Sequence, residues 1–390
     1  MSAPKPQSDG KVFAKLFGLA GGVLIFGIVA VALGAPAPKV VEEAVDDAVA
    51  DMAEMVEPEV VDPRPQPVQE LEADLARIGG ALQSHLGIAV VDIQSAAAVH
   101  YNGEQLMPQQ SVSKLWVALA ALDQADNGVL DLAEQGTVRL ENLTLFHQPI
   151  RKRVIAQGSF TTSYADFMSR ALIGSDNTAN DMLLNKVGGP QAVRRLLEAR
   201  GLADIRFGPG ERIMQSQLAG LEWDQSFAIG KTFFEVRKTV DHASRRRIFD
   251  AYVDDPVDGA SALAMAQALA RLAKGELLSP ASTQILLGYM RDAKSGPNRL
   301  KGGLPAGWQI AHKTGTGQVL DIVPPGVMGE QTGYNDVGIL TAPDGAQYAV
   351  AVLIGRTIKP VPERMDMMHA VVGAVARYHA GKEGNRGEEG

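Results

Sequence analysis

The chain has 390 residues, with 45 acidic against 37 basic side chains and a net charge of -8. That balance disfavours nucleic acid as a partner, and the lack of cysteine removes disulfides, thiol nucleophiles and thiolate metal sites together. An apolar content of 46% is ordinary for a globular protein and supplies a sizeable core.

Lys5, Lys11 and Lys15 precede an uncharged apolar run from Leu16 to Leu33. A run of about 18 residues is long enough to cross a bilayer as a helix. Cations before the run and acids after it predict a cytoplasmic N-terminus over 1–15, a span over 16–34 and a remainder facing the periplasm from the inner membrane. An uncleaved anchor is favoured over a cleaved signal peptide, for which Ala30-Val31-Ala32 would serve as the cleavage site. Residues 35–68 mix prolines with Glu42, Glu43, Asp46, Asp47 and Asp51, which reads as an extended, self-repelling linker. A folded domain is expected over 69–380 and a disordered tail over 381–390.

Within the domain, Leu71, Leu75, Ile78 and Leu82 recur at helical spacing. Gly87–Ile93 and Ala97–Tyr101 read as two strands, followed by a helix opening at Ser111. Helical patterns fill Tyr164–Arg200, broken at Gly174-Ser175-Asp176-Asn177 and at Gly188-Gly189-Pro190. Ser261–Ala273 and Ser279–Arg291 are helical. Trp308–Lys313, Asp336–Thr341 and Gln347–Gly355 read as strands, and Arg364–His379 as a final helix. Strands at both ends with helices between predict an α/β (α+β) fold. In it an antiparallel sheet formed from both chain ends carries packed helices, beside an all-helical lobe. A cleft between the lobes is the expected place for a site.

Some short stretches carry candidate chemistry. Ser111 and Lys114 lie three residues apart, so on a helix they share a face with roughly 5–6 Å between Cβ atoms. A lysine there can take the serine's proton if its surroundings lower its pKa. The plain alternative is an N-cap serine followed by a snorkelling lysine. In an extended Ser175-Asp176-Asn177, the serine and asparagine face one side and the aspartate the other; the alternative is a helix cap. Lys313-Thr314-Gly315-Thr316 ends an apolar strand. Its glycine permits close approach of another backbone or a ligand, while the alternative is an exposed edge guarded by lysine.

Ser-x-x-Lys, Ser-Asp-Asn and Lys-Thr-Gly in that order are the signatures of active-site serine β-lactamases and penicillin-binding proteins. The chain resembles that superfamily, and class A β-lactamases above all. Gly188-GPQAVRRLLEARGLADIR, Gly275-ELLSPAS and Gly303-LPAGWQIAHKTGTG read in the same way. The resemblance implies Ser111 as acylated nucleophile, Lys114 as its hydrogen-bonded partner and possible base, and Ser175 as proton relay beside Lys313. It implies Asn177 as ligand of the substrate's side-chain amide, Thr314 and Thr316 at its carboxylate, and an oxyanion hole of the Ser111 and Thr316 backbone N–H groups around Gly315. It sets Glu211, in GLADIRFGPGERIMQ, at the position that activates the deacylating water. Substrates are then β-lactams, or D-Ala-D-Ala peptides of peptidoglycan if the chain works as a carboxypeptidase. A catalytically idle binding module on the same fold is the third reading. No cofactor is expected, and a monomer is.

The chain also departs from the family. Gln215 replaces an asparagine and is one methylene longer; misplacing the water by about 1 Å costs on the order of a hundredfold in rate. An extra segment of roughly thirty residues lies near Trp223–Asp255, and the turn after Thr316 is long; both are expected beside the cleft. The family's carboxylate-binding arginine has no counterpart at Tyr334-Asn335. Arg151–Arg153 and Arg245–Arg247 read as solvated faces. Phe146-His147-Gln148-Pro149 reads as cleft rim or packed loop. The seven histidines lack metal-ligand spacing such as H-E-x-x-H.

Overall fold

A strand whose alternate side chains all find apolar partners must be covered on both faces, and the longest strand of this protein meets that condition. In a computed structural model describing residues 62–321 and 329–388, Tyr348, Val350, Val352 and Ile354 enter one hydrophobic cluster. The intervening Ala349, Ala351 and Leu353 enter another. The period of two directs them to opposite sides of the sheet. The expected N-terminus, membrane span and most of the linker lie outside the described residues, as do 322–328 in the long turn and the last two residues of the tail.

In chain order the elements are α1 (Gln66–Leu82), β1 (His85–Asp92), β2 (Ala98–Tyr101), β3 (Leu106–Pro108), α2 (Lys114–Asp126) and β4 (Gln135–Val138). Then come α3 (Ile150–Gln157), β5 (Phe160–Ser163), α4 (Tyr164–Ile173), α5 (Asn177–Lys186), α6 (Gly189–Ala199) and α7 (Glu211–Leu218). α8 (Thr232–Thr239), α9 (His242–Asp254), β6 (Gly259–Ser261), α10 (Ala262–Ala273) and α11 (Pro280–Arg291) follow. The chain closes with β7 (Gln309–Thr316), β8 (Gln331–Thr332), β9 (Tyr334–Thr341), β10 (Gln347–Thr357) and α12 (Val361–Glu388).

The main sheet runs β2-β1-β10-β9-β7, with β8 attached to β10. Its pairings are antiparallel and join the first strands to the last, as the pattern of strands at both chain ends predicts. Leu71, Leu75, Ile78 and Leu82 of α1 and Met368, Val371, Val372 and Val375 of α12 cover one face. Met265, Ala266 and Leu269 of α10 cover the other. Beside the sheet stands the helical lobe, built around α2, in which every residue from Lys114 to Leu122 is buried. Burying nine consecutive positions leaves α2 no solvent face, so it is a central helix rather than an amphipathic one.

Several boundaries differ from the sequence expectation for local reasons. Helix α1 starts at Gln66 with Pro67 in its first turn, where a missing N–H is harmless. Ser111 belongs to a 3-10 turn, Gln110–Ser113, and not to the α-helix. Gln110 has φ +54°, which an α-helix does not accept, so α2 begins only at Lys114. Strand β7 runs on to Thr316 and takes Lys313–Thr316 into the sheet. The extra segment folds as a 3-10 turn (Gln225–Ala228) followed by α8 and α9, helices that carry no clear periodic signal.

Candidate active site

Lys114 opens α2, and a side chain on a helix leans toward the N-terminal end. Its ammonium therefore points back over the 3-10 turn. Nζ donates to Ser111 Oγ at 2.9 Å, to Ser175 O at 3.2 Å and to Asn177 Oδ1, with Ser175 Oγ at 3.4 Å. Glu211 Oε1 lies 3.3 Å away. Lys114 is 1% exposed, so this set of acceptors is what makes the buried charge tolerable, and the snorkelling alternative is excluded.

Ser175 and Asn177 reach Lys114 by a route the sequence did not suggest. The tripeptide is not extended: Ser175 has φ +57° and Asn177 is already helical. Asp176 is the N-cap of α5, accepting from Ala179 N at 3.0 Å, and its second oxygen accepts from Ile150 N at 2.8 Å. Capping and site assembly are thus one device: the carboxylate fixes the turn that presents the hydroxyl and the amide. Asn177 Nδ2 donates to Leu145 O at 2.8 Å and Asn177 N to His147 O at 2.9 Å, stitching the 145–147 loop to the same turn.

Strand β7 brings the third group. Lys313 is completely buried, which rules out an edge-guarding role, and its Nζ donates to Ser175 Oγ at 3.0 Å and to Thr314 O at 2.9 Å. Burial, with the charges of Lys114 and Arg299 beside it, holds this ammonium well below the ordinary lysine range. Gly315 explains how β7 packs so near the 3-10 turn: a Cβ there would stand 2.3 Å from Gln109 O. No other residue fits, so Gly315 shapes the wall between Ser111 and Thr316.

Glu211 starts α7 and is 4% exposed. Its N–H donates to Asp181 Oδ1 at 3.3 Å, and burial followed by the Glu211 charge pushes Asp181 up to about 7. Gln215, one turn on, uses its extra methylene. Nε2 reaches Gln110 Oε1 at 3.0 Å and Glu211 Oε2 at 3.4 Å, while Oε1 accepts from Gln318 Nε2 at 2.9 Å. Behind it, Gln110 Nε2 donates to the Tyr252 hydroxyl at 2.6 Å, which donates to Asp258 Oδ1 at 2.8 Å. Gln110 N donates to Asp258 Oδ2 at 2.7 Å. Among the described residues no cation pairs with this carboxylate, and burial pushes Asp258 up to about 6.

A cleft of about 450 Å³ is lined by Ser111, Ser175, Asn177, Glu211, Thr314 and Thr316. It also holds a residue that the sequence reading missed. Arg299 donates to Gly315 O at 2.9 Å, Asn335 O at 2.6 Å and Thr316 Oγ1 at 2.6 Å, and its guanidinium stands 3.8 Å over the Tyr334 ring. Tyr334-Asn335 lacks the family's arginine, yet a guanidinium still reaches the rim from the loop before β7. Motif matching found nothing because the charge arrives from another part of the chain. The only signal was the glycine-proline turn Ser295-Gly296-Pro297-Asn298, which lifts Arg299 toward the strand.

The remaining expectations divide. Phe146 and His147 line the cleft, whereas Gln148 is a packed loop residue. Arg245 and Arg246 are not a solvated face: they donate to Asp321 at 2.8 Å and pair with Glu330 at 2.7 Å, while Arg247 is exposed. Among the described residues no cluster of His, Asp and Glu has the arrangement of a metal site.

The model of a family described as "Beta-lactamase enzyme family" matches residues 70–378. Extended-spectrum beta-lactamase PER-1 of Pseudomonas aeruginosa is 28% identical over 297 residues, covering 75% of this chain and 80% of that protein. Beta-lactamase VEB-1 of the same organism is 25% identical over 277 residues, covering 71% and 79%. Among solved structures, a beta-lactamase from Chitinophaga pinensis DSM 2588 superposes with a TM-score of 0.63 at 26% identity, over 80% of this chain and 99% of that one.

Proposed function

The chain belongs to the beta-lactamase enzyme family, and on that premise we propose that it is a serine β-lactamase, opening the cyclic amide through an acyl-enzyme on Ser111. The observation that carries this reading is the convergence of Lys114 Nζ on Ser111 Oγ at 2.9 Å and Glu211 Oε1 at 3.3 Å. Nucleophile, proton carrier and a second acceptor form one chain, a hydrogen bond from Lys114 to Ser111 followed by an ion pair from Lys114 to Glu211.

In acylation the Ser111 proton passes to the Lys114–Glu211 pair as Oγ bonds to the lactam carbonyl carbon. The carbon–nitrogen bond breaks, and the leaving nitrogen takes the Ser175 hydroxyl proton, which Lys313 at 3.0 Å replaces. Arg299, with Thr314 and Thr316, supplies the hydrogen bonds for a substrate carboxylate, and a guanidinium suits that group's geometry. In deacylation the Lys114–Glu211 pair first returns its extra proton through Ser175 to Lys313; Glu211 then takes a proton from water, the hydroxide attacks the ester carbonyl, and Ser111 Oγ leaves by taking a proton from Lys114, which Glu211 replaces. Gln215 helps to hold Glu211 for that step.

The peptide-carboxypeptidase reading calls for a long-lived adduct, and the buried Glu211 beside Lys114 argues for rapid release instead. Nitrocefin turnover by the full chain and its Ser111→Ala variant tests the proposal, with intact mass after penicillin addition. Turnover that disappears in the variant is expected. Equal hydrolysis by both proteins sinks the hydrolase reading, and a stable penicilloyl adduct in the wild type favours the carboxypeptidase. We also propose that the apolar run at 16–33 holds the domain at the periplasmic side of the inner membrane; recovery of the full chain in the soluble fraction of cells would refute the uncleaved anchor.

A further inference from the structure

The extra segment packs beside the cleft on the described ends of the turn after β7, at Val319–Asp321 and Glu330. Arg237 of α8 donates to the carbonyls of Val319 and Leu320, the latter at 3.0 Å. Arg245 of α9 holds Asp321 at 2.8 Å, and Arg246 holds Glu330 at 2.7 Å. Leu320 is buried against Phe249 and Val253 of α9. Arginines bonded to backbone carbonyls and to half-buried carboxylates fix position rather than recruit ligands. What this unit carries to the cleft is therefore held in place.

It carries an aromatic side chain. Phe234 of α8 lines the cleft and is 41% exposed, although the neighbouring Phe233 is buried. The Phe233 ring lies 5.4 Å from the Phe234 ring and 5.3 Å from that of Phe146, both edge-on. Phe146 and Phe234 have centroids 6.3 Å apart. Phe146 comes from the loop stitched to Asn177, and its φ of +58° is a conformation that bulky residues rarely adopt. Such a backbone persists only where the surroundings enforce it, and it turns this ring toward the cleft. Arg299 and Thr316 stand on the strand side, so the cleft has a cationic, hydroxyl-rich wall and an aromatic wall.

We propose that Phe234, with Phe146, forms an aromatic clamp that selects acyl donors bearing a flat apolar group on the side chain next to the scissile amide. This rests on the β-lactamase reading for the identity of the acyl donor, but the clamp itself is a binding site. The inserted segment thereby acts as a specificity element. A partly exposed ring in a cleft offers stacking and edge contacts that a small side chain cannot use.

The test uses the full chain with benzylpenicillin, which has a phenyl side chain, and 6-aminopenicillanic acid, which has none. Phe234→Ala is expected to lower kcat/KM for benzylpenicillin about fivefold to tenfold and that for 6-aminopenicillanic acid less than twofold, with Phe234→Leu between. Calorimetric Kd values in the Ser111→Ala background should show the same selective loss without any chemistry. Equal loss for both ligands, or no change for either, overturns the clamp. Absent turnover in the wild type together with Phe234-dependent binding refutes the hydrolase and keeps the clamp; absent turnover and absent binding overturn both.

Discussion

Replacing Asp258 by asparagine should make the stability of this protein less sensitive to the rise from acid to neutral pH. The carboxylate is 1% exposed, accepts from the Gln110 N–H and the Tyr252 hydroxyl, and feels the Glu211 charge, with no cation among the described residues paired to it. Raising a carboxyl from 3.8 to about 6 penalises its ionised form in the native state by roughly 3 kcal/mol. Because the folded value lies above the unfolded one, the penalty is absent below the unfolded value and complete above about 6. Native stability therefore falls as pH rises through that window. About half of the effect, on the order of 1 kcal/mol, accrues between pH 5 and pH 8. Asparagine keeps an acceptor for Gln110 N but offers an N–H toward Tyr252, a pH-independent loss of about 1 kcal/mol. Urea unfolding followed by circular dichroism, in wild type and Asp258→Asn at pH 5 and pH 8, reads the difference. The buried Asp181 titrates in both proteins and cancels. The variant should gain on the order of 1 kcal/mol on the wild type between the two pH values. A constant difference, or one that moves toward the wild type, would refute a charged, unpaired Asp258.

Other outcomes follow from the site. Glu211→Gln should acylate with penicillin more slowly, since the pair loses its carboxylate acceptor, and release the product about 10²–10⁴-fold more slowly, seen as a persistent adduct by intact mass. Arg299→Gln should lower kcat/KM for carboxylate-bearing β-lactams by about ten- to a hundredfold, since a charged hydrogen bond contributes about 1.5–3 kcal/mol, with a smaller effect on a methyl ester. Gly315→Ala would set a Cβ 2.3 Å from Gln109 O. It should therefore cost on the order of 1–3 kcal/mol in unfolding experiments and slow acylation as β7 retreats from Ser111.

Legibility in the sequence followed the range of the signal. The strands at both chain ends, the breaks at Gly174 and Gly188 and the helix of Leu71, Leu75, Ile78 and Leu82 were visible because periodicity and turn chemistry are local. The helices at Thr232–Thr239 and His242–Asp254 were not, since Arg237 on the first, bonded to the Val319 and Leu320 carbonyls, and Arg245 and Arg246 on the second, held by Asp321 and Glu330, dilute the apolar period. Ordered motifs drew attention to Ser111, Lys114, Ser175, Asn177, Glu211 and Lys313, and folding brings these groups together at the cleft.

By itself, then, the sequence determined the class of fold and which residue types carry the chemistry, because both are written in short patterns. Tertiary structure alone decided that Ser111 sits on a 3-10 turn, that Arg299 reaches the rim where Tyr334-Asn335 has no cation, and that Phe234 faces the cleft. Those facts depend on contacts between segments far apart in the chain, and on a left-handed backbone at Gln110, Phe146 and Ser175 that no propensity favours. Such conformations are held by their surroundings, and the surroundings exist only once the chain has folded.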